Sequence, residues 1–174
     1  MQTINDVPEV EVLRGIEVPK VSPRRRHARL QGLLFGILDR WAGERGDVGT
    51  EWRFHLSKRP GDETSLVPDV AYVANVRLAA LDAHAAEEPP FAPDVAVEVR
   101  SPGDRERNIQ TKVVLYLDAG ALLVLDVDPE SRRITACDSG GVQVFDAGDT
   151  FEHRLAPGLT FDVGGLFAAA NLHV

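Results

Sequence analysis

The stretch "ALLVLDVDP", residues 121 to 129, constrains the fold more than any other part of the chain. It is almost wholly apolar and shows no alternation, the pattern of a strand covered on both faces. Such a strand needs sheet neighbours and a packed layer above and below it. The flanking segments supply both. "PDVAVEVR" (93–100) reads as a strand, and "SPGDRERNIQTKVVLYLDAG" as a turn and a helix. Ile109, Val113, Tyr116 and Leu117 line one side of that helix and Gly120 stops it. Earlier, Leu30, Leu33, Leu34, Ile37, Leu38 and Trp41 recur at helical spacing. Ser22 suits the N-cap of that helix, Pro23 its first turn, and Gly43 or Gly46 its end.

Between the two helices lie segments of strand character. "VGTEWRFHLS" runs into "KRPGDETS", a hairpin-like loop, and "LVPDVAYVANV" resumes the strand pattern. "RLAALDAHAAEEPPF" is a connector with room for one helical turn, ended by Pro89 and Pro90. The tail after residue 130 reads as a meander around glycine-rich turns, closed by a short helix from Val163 to Asn171. The expected class is therefore α/β, an α+β mixed sheet with helices on both sides and a C-terminal antiparallel extension. Residues 1–20 alternate weakly and read as an N-terminal arm or edge strand; residues 21–174 read as one domain.

Composition narrows the function. A length of 174 residues suits one domain with a real core, and 44% hydrophobic with 26% charged residues is globular. No stretch approaches the roughly 18 apolar residues of a membrane helix, and no secretory signal pattern opens the chain. The single cysteine, Cys137, excludes an internal disulfide and a cysteine zinc cluster, so a cytoplasmic location is expected. The net charge of −8 opposes general coating of nucleic acid. It opposes a nuclease less, because a metal ion in an acidic site inverts the local sign.

Within "PDVAVEVR", Asp94, Ala96, Glu98 and Arg100 share one strand face and Val95, Val97 and Val99 the other. A carboxylate in the middle of such a strand needs a use. Asp94 and Glu98 cannot share an ion, because four residues of strand separate their Cα atoms by about 13 Å. A second "PDV" (68–70) offers Asp69, which on a neighbouring strand can approach Glu98 across about 4.8 Å. Asp69 and Glu98 are thus the candidate pair for Mg2+ or Mn2+, with the carbonyl of Val99 as a further oxygen ligand. Lys112, on the following helix, can bring an ammonium to the same pocket, and a lysine of depressed pKa can deprotonate water. Arg100 stays protonated and suits a phosphate oxygen. These residue types fit metal-assisted phosphodiester hydrolysis without requiring it.

"VPDVAYV", then "PDVAVEVRSPGDRERNIQTKVVLYLDAG", then an apolar strand ending in "DVDP" and the tail "LAPGLTFDVGGLF", resembles the Uma family of restriction-endonuclease-like proteins. That family is a branch of the PD-(D/E)XK nuclease superfamily, and the similarity runs from about Val21 onward. The resemblance implies a restriction-endonuclease-like core, with Asp69 and Glu98 as the two acids of the signature. The lysine usual two positions after the glutamate is replaced by Arg100, and the resemblance implies that Lys112 supplies the ammonium from the helix. It implies a metal-dependent nuclease acting on nucleic acid, most naturally DNA. The alternative is a catalytically inactive, dimeric binding or interaction module on the same fold, and a third reading is an enzyme of a small phosphorylated substrate. A homodimer is expected, since similar domains often pair.

Plainer readings stand beside these. Glu98 can be one half of a structural ion pair with Arg100 or Lys112, Asp69 a turn residue after Pro68, and Lys112 a solvated helix lysine. Asp94 reads as a strand-opening residue. Arg24, Arg25 and Arg26 oppose the helix macrodipole, so they suit either phosphate contact or a solvated basic turn. His27 reads as a capping or packing residue, and Tyr116 as packing beneath the site.

Overall fold

The computed structural model describes residues 10–20, 24–102 and 106–171. A hairpin of β1 (Val10–Leu13) and β2 (Ile16–Pro19) precedes the long helix α1 (Arg25–Ala42). Next come β3 (Gly46–Thr50), β4 (Phe54–Ser57), β5 (Thr64–Leu66) and β6 (Val70–Ala74). Two short helices, α2 (Asn75–Leu78) and α3 (Ala83–Glu87), lead to β7 (Val95–Val99), α4 (Glu106–Asp118) and β8 (Leu123–Asp128). The tail holds β9 (Arg133–Asp138), β10 (Gly141–Phe145), β11 (Thr150–Glu152), β12 (Thr160–Asp162) and α5 (Val163–Asn171).

Six strands form the central sheet in the order β10-β9-β8-β7-β6-β3. β7 and β8 run parallel, joined through α4, while the other neighbours are antiparallel, so the sheet is mixed. β8 is the doubly covered strand of the sequence reading: Leu123, Leu125 and Val127 face one layer, Val124 the other, and all are fully buried. The first layer contains α1 and α5. Leu30, Leu34 and Leu38 of α1 are fully buried against Val95, Val97 and Val99 of β7. On the opposite face Ile109, Val113 and Tyr116 of α4 close over Ala96, Val124 and Cys137. Leu34→Ala is expected to cost about 2–5 kcal/mol through the cavity it leaves. A lower denaturation midpoint at unchanged slope against denaturant would report it.

The helix α1 starts at Arg25 with Arg24 in the N-cap position and no side-chain cap, and it ends at Gly43. Ser22 and Pro23 lie outside the described residues. α5 occupies the range expected for it, and β4 and β5 form the expected hairpin across the "KRPGDETS" loop. "VGTEWRFHLS" is not one strand. Glu51 adopts a left-handed φ of 52°, turning the chain so that β3 joins the central sheet and β4 a second sheet. That second sheet has the order β2-β1-β5-β4, so the N-terminal arm contributes an interior strand, β1, and an edge strand, β2. Among the described residues no helix is long and apolar enough to cross a membrane.

Candidate active site

The antiparallel pairing of β6 and β7 places Val70 opposite Val97, and one step further along this register puts Asp69 opposite Glu98. Sequence reasoning asked for this juxtaposition, and the sheet provides it. Asp69 is 3% and Glu98 4% exposed. The amide of Val99 donates to Oδ2 of Asp69 at 2.6 Å, locking one acid to the strand that carries the other.

Each acid meets an ammonium that is shared with a further carboxylate. Lys112 reaches from α4 to Oε2 of Glu98 at 2.9 Å and to Oε2 of Glu11 at 2.7 Å. Tyr116, one turn along the same helix face, donates its hydroxyl to Oε1 of Glu98 at 2.8 Å. Lys20, just past β2, lies 3.5 Å from Oδ1 of Asp69 and pairs closely with Glu51. Gln31 of α1 donates to Glu51 at 2.6 Å and to the main-chain oxygen of Asp69 at 3.0 Å. The two halves meet at Val67, whose N–H donates to Glu11 at 2.9 Å and whose carbonyl accepts from Lys20 at 2.8 Å. His27 completes the wall, with Nδ1 2.9 Å from the Ser101 hydroxyl and Nε2 3.1 Å from Oδ1 of Asp69.

Burial dominates the electrostatics. It pushes the Glu98 carboxyl up to about 7, with Lys112 opposing and Glu11 and Asp69 adding to the shift. Asp69 is pushed up to about 6, again by burial, against the pull of Lys20 and the Val99 amide. For Lys112 burial works against the charge, but Glu98 and Glu11 outweigh it and hold the amine above the ordinary lysine range. Lys20 is raised in the same way, burial being overcome by Asp69 and Glu51. The sequence reading allowed Lys112 a depressed pKa and a role as base. Two carboxylates at hydrogen-bond distance reverse that: Lys112 is a fixed positive charge.

Arg100 departs from its expected role. Its guanidinium donates to both oxygens of Asp126, which is 2% exposed and lies beside Glu98 on β8, and also to Glu106 at the start of α4. Four donor bonds are committed to these two carboxylates, and Arg100 tethers the start of α4 to β8 instead of facing the cavity. Asp94 takes the plainer role: it binds Arg77 at 2.9 Å and the amide of Ala74 at 2.8 Å. Arg24, Arg25 and Arg26 are exposed at the N-terminal end of α1, just before His27.

A cavity of about 100 Å³ opens among these groups, bordered by Glu11, Asp69, Glu98, Lys20, His27 and Lys112. Val99, Ser101 and Asn108 also border it. Among the described residues no three His, Cys, Asp or Glu side chains converge as a ready-made metal cage. A hard ion such as Mg2+ does not need one, since it keeps several waters and takes one or two carboxylates. With every side chain ionised, Glu11, Glu51, Asp69 and Glu98 carry four negative charges against two positive charges on Lys20 and Lys112. The surplus equals the charge of one divalent cation, and the donors are oxygens. On donor chemistry, charge and space, the site fits such an ion.

Sequence reading missed Glu11, Lys20, Glu51 and Gln31, and gave His27 too small a part. Glu11 did carry a signal: it sits between Val10 and Val12 as Glu98 sits between Val97 and Val99. Lys20 and Glu51 had none, because each lies just past the end of a strand, where a charged residue is ordinary.

A family model described as "Putative restriction endonuclease", Uma2, matches residues 1–164. The chain is also similar to the crystal structure of a protein from Anabaena variabilis ATCC 29413, described as a putative nuclease belonging to DUF820. The TM-score is 0.82 at 20% identity, covering 94% of this chain and 92% of that one. At that identity the likeness is one of fold. No curated protein matches the chain.

Proposed function

From the premise that the chain belongs to the Uma2 family, we propose that it is a metal-dependent nuclease hydrolysing phosphodiester bonds, with DNA as its substrate. The observation that carries this reading is the convergence of Asp69 and Glu98 on one small cavity, with a permanently charged Lys112 at its wall. Asp69, Glu98 and the main-chain oxygen of Val99 would hold the ion, Mg2+ or Mn2+. When bound, such an ion activates water and offsets charge on the phosphate.

The chain's own residues do the rest. Val99 and Tyr116 fix the two carboxylates in direction through hydrogen bonds, so that little reorganisation is needed when a cation arrives. Lys112 offers a positive charge to the phosphate oxygens as negative charge builds there. In the overall reaction water adds to phosphorus, one P–O bond forms, one breaks, and the leaving oxygen takes up a proton. Arg24, Arg25 and Arg26, exposed just before His27, would contact flanking phosphates. Arg100 is not assigned that part, since Asp126 and Glu106 hold it. The net charge of −8 favours a confined substrate, such as a strand end or a flap, over long duplex.

The test is cleavage of a panel of single-stranded, duplex, flapped and nicked DNA and RNA, with Mg2+, with Mn2+ and with a chelator. Cleavage of at least one DNA form that the chelator abolishes is the expected result. A panel left intact under every divalent condition sinks the nuclease reading.

A further inference from the structure

The Lys112 ammonium carries three N–H donors. Two contacts hold it, a hydrogen bond to Oε2 of Glu98 at 2.9 Å and an ion pair with Oε2 of Glu11 at 2.7 Å. An ammonium tied at one point swings on its four-carbon stem, whereas two ties leave the tetrahedral nitrogen a single direction for its third N–H. That third donor has no protein acceptor among the described residues, and Lys112 borders the cavity.

Glu11 is itself fixed. It lies on β1, which is held between β2 and β5, and it is 3% exposed. One carboxylate oxygen accepts from the amide of Val67 at 2.9 Å, and the other is left for Lys112. A buried carboxylate is destabilising unless it is fully partnered, so this arrangement calls for a use. Glu98 has a second claimant for its charge, because the same carboxylate is the candidate ligand of a cation. A lysine anchored on Glu98 alone would lose its hold when that cation arrived.

We propose that Glu11 is the positioning residue of Lys112. Its carboxylate orients the ammonium toward the cavity and retains it when the charge of Glu98 is shared with a bound ion. The N-terminal hairpin is then part of the working site rather than an appendage to it. The catalytic consequence rests on the nuclease reading above; the anchoring of the ammonium does not.

The two are separated by experiment. The chain has only three lysines, Lys20, Lys58 and Lys112, so the protected ammonium resonances of 15N-labelled protein are assignable by Lys20→Arg and Lys58→Arg. In Glu11→Gln the Lys112 ammonium is expected to exchange its protons with water roughly 10–100-fold faster, the effect of losing one charge-assisted hydrogen bond. The same variant should lose about 10–100-fold in kcat, with KM changed by less than about threefold, because orientation and not binding is impaired. Glu11→Asp keeps the charge but draws the carboxylate back by about 1.5 Å, one C–C bond, and should fall between wild type and Glu11→Gln in both readouts. It also serves if Glu11→Gln does not fold.

Divalent-induced gain in melting temperature should persist in both variants, smaller in Glu11→Gln, which removes one of the four negative charges around the cavity. Its loss in Glu11→Gln would make Glu11 a metal ligand and overturn the proposal. So would unchanged ammonium exchange in the two variants, which would mean that Glu98 holds Lys112 unaided. If wild type cleaves nothing, the nuclease reading falls while the exchange measurement still decides the anchoring.

Discussion

Glu98→Gln is expected to remove divalent-dependent cleavage, lowering kcat/KM by at least about 100-fold, while the protein stays folded. The amide keeps the shape of the side chain: its oxygen can accept from Lys112 while its NH2 donates to the Tyr116 hydroxyl, so the packing under β7 survives. Charge is what changes. Wild type should gain melting temperature with Mg2+ or Mn2+ by mass action, and Glu98→Gln should not. The pH dependence of the metal-free protein gives an independent reading. Glu98 is pushed from 4.5 up to about 7 in the folded state, so the folded protein holds this proton more tightly than the unfolded chain does. The stability it contributes is complete below about pH 4.5 and is lost as pH rises through 7. Asp69, raised from 3.8 to about 6, acts with the same sign. Chemical denaturation from pH 4.5 to 8 should therefore show a decline in wild type that Glu98→Gln shallows. Equal trace cleavage by wild type and Glu98→Gln would remove Glu98 from the chemistry.

How far the sequence foretells this molecule follows from the kind of signal each element leaves. β8 was legible because a strand covered on both faces must be apolar throughout, and α1 because its leucines recur at the helical period. The Asp69–Glu98 pair was legible for a related reason. A carboxylate inside a valine strand contradicts its surroundings, and the neighbouring strand offered one acid at the right place. What pairs with what was not legible. Nothing in "VEVRS" says that Arg100 faces Asp126, since that contact depends on the register of β7 against β8 and a parallel register is set by the whole crossover through α4. Glu51 reaches the site where the chain turns at a positive φ, a conformation that residue type alone does not announce, and Lys20 reaches it from the end of β2. The family resemblance supplied Lys112, but not the sign of its pKa shift, which burial opposes and Glu98 and Glu11 together reverse, Glu11 lying 101 positions away in the chain and 2.7 Å away in space.

The second large effect follows from that contact. Lys112→Met leaves Glu11 and Glu98, 3% and 4% exposed, facing one another without their shared cation. Breaking a buried ion pair from one side costs about 3–5 kcal/mol. For a chain of this size that is roughly 6–20 °C in melting temperature. The penalty should be largest at pH 8 and shrink toward pH 5, where Glu98, already raised to about 7, takes up a proton and needs no counter-ion. Adding Glu98→Gln to Lys112→Met removes one of the stranded charges and should recover part of the loss, giving a coupling energy of about 1–3 kcal/mol in the double-mutant cycle. A surface lysine behaves otherwise: its replacement shifts stability by less than about 0.5 kcal/mol at any pH and couples to nothing. If Lys112→Met melts with wild type at pH 8, the ammonium is not between the two glutamates, and the electrostatic account of the site loses its centre.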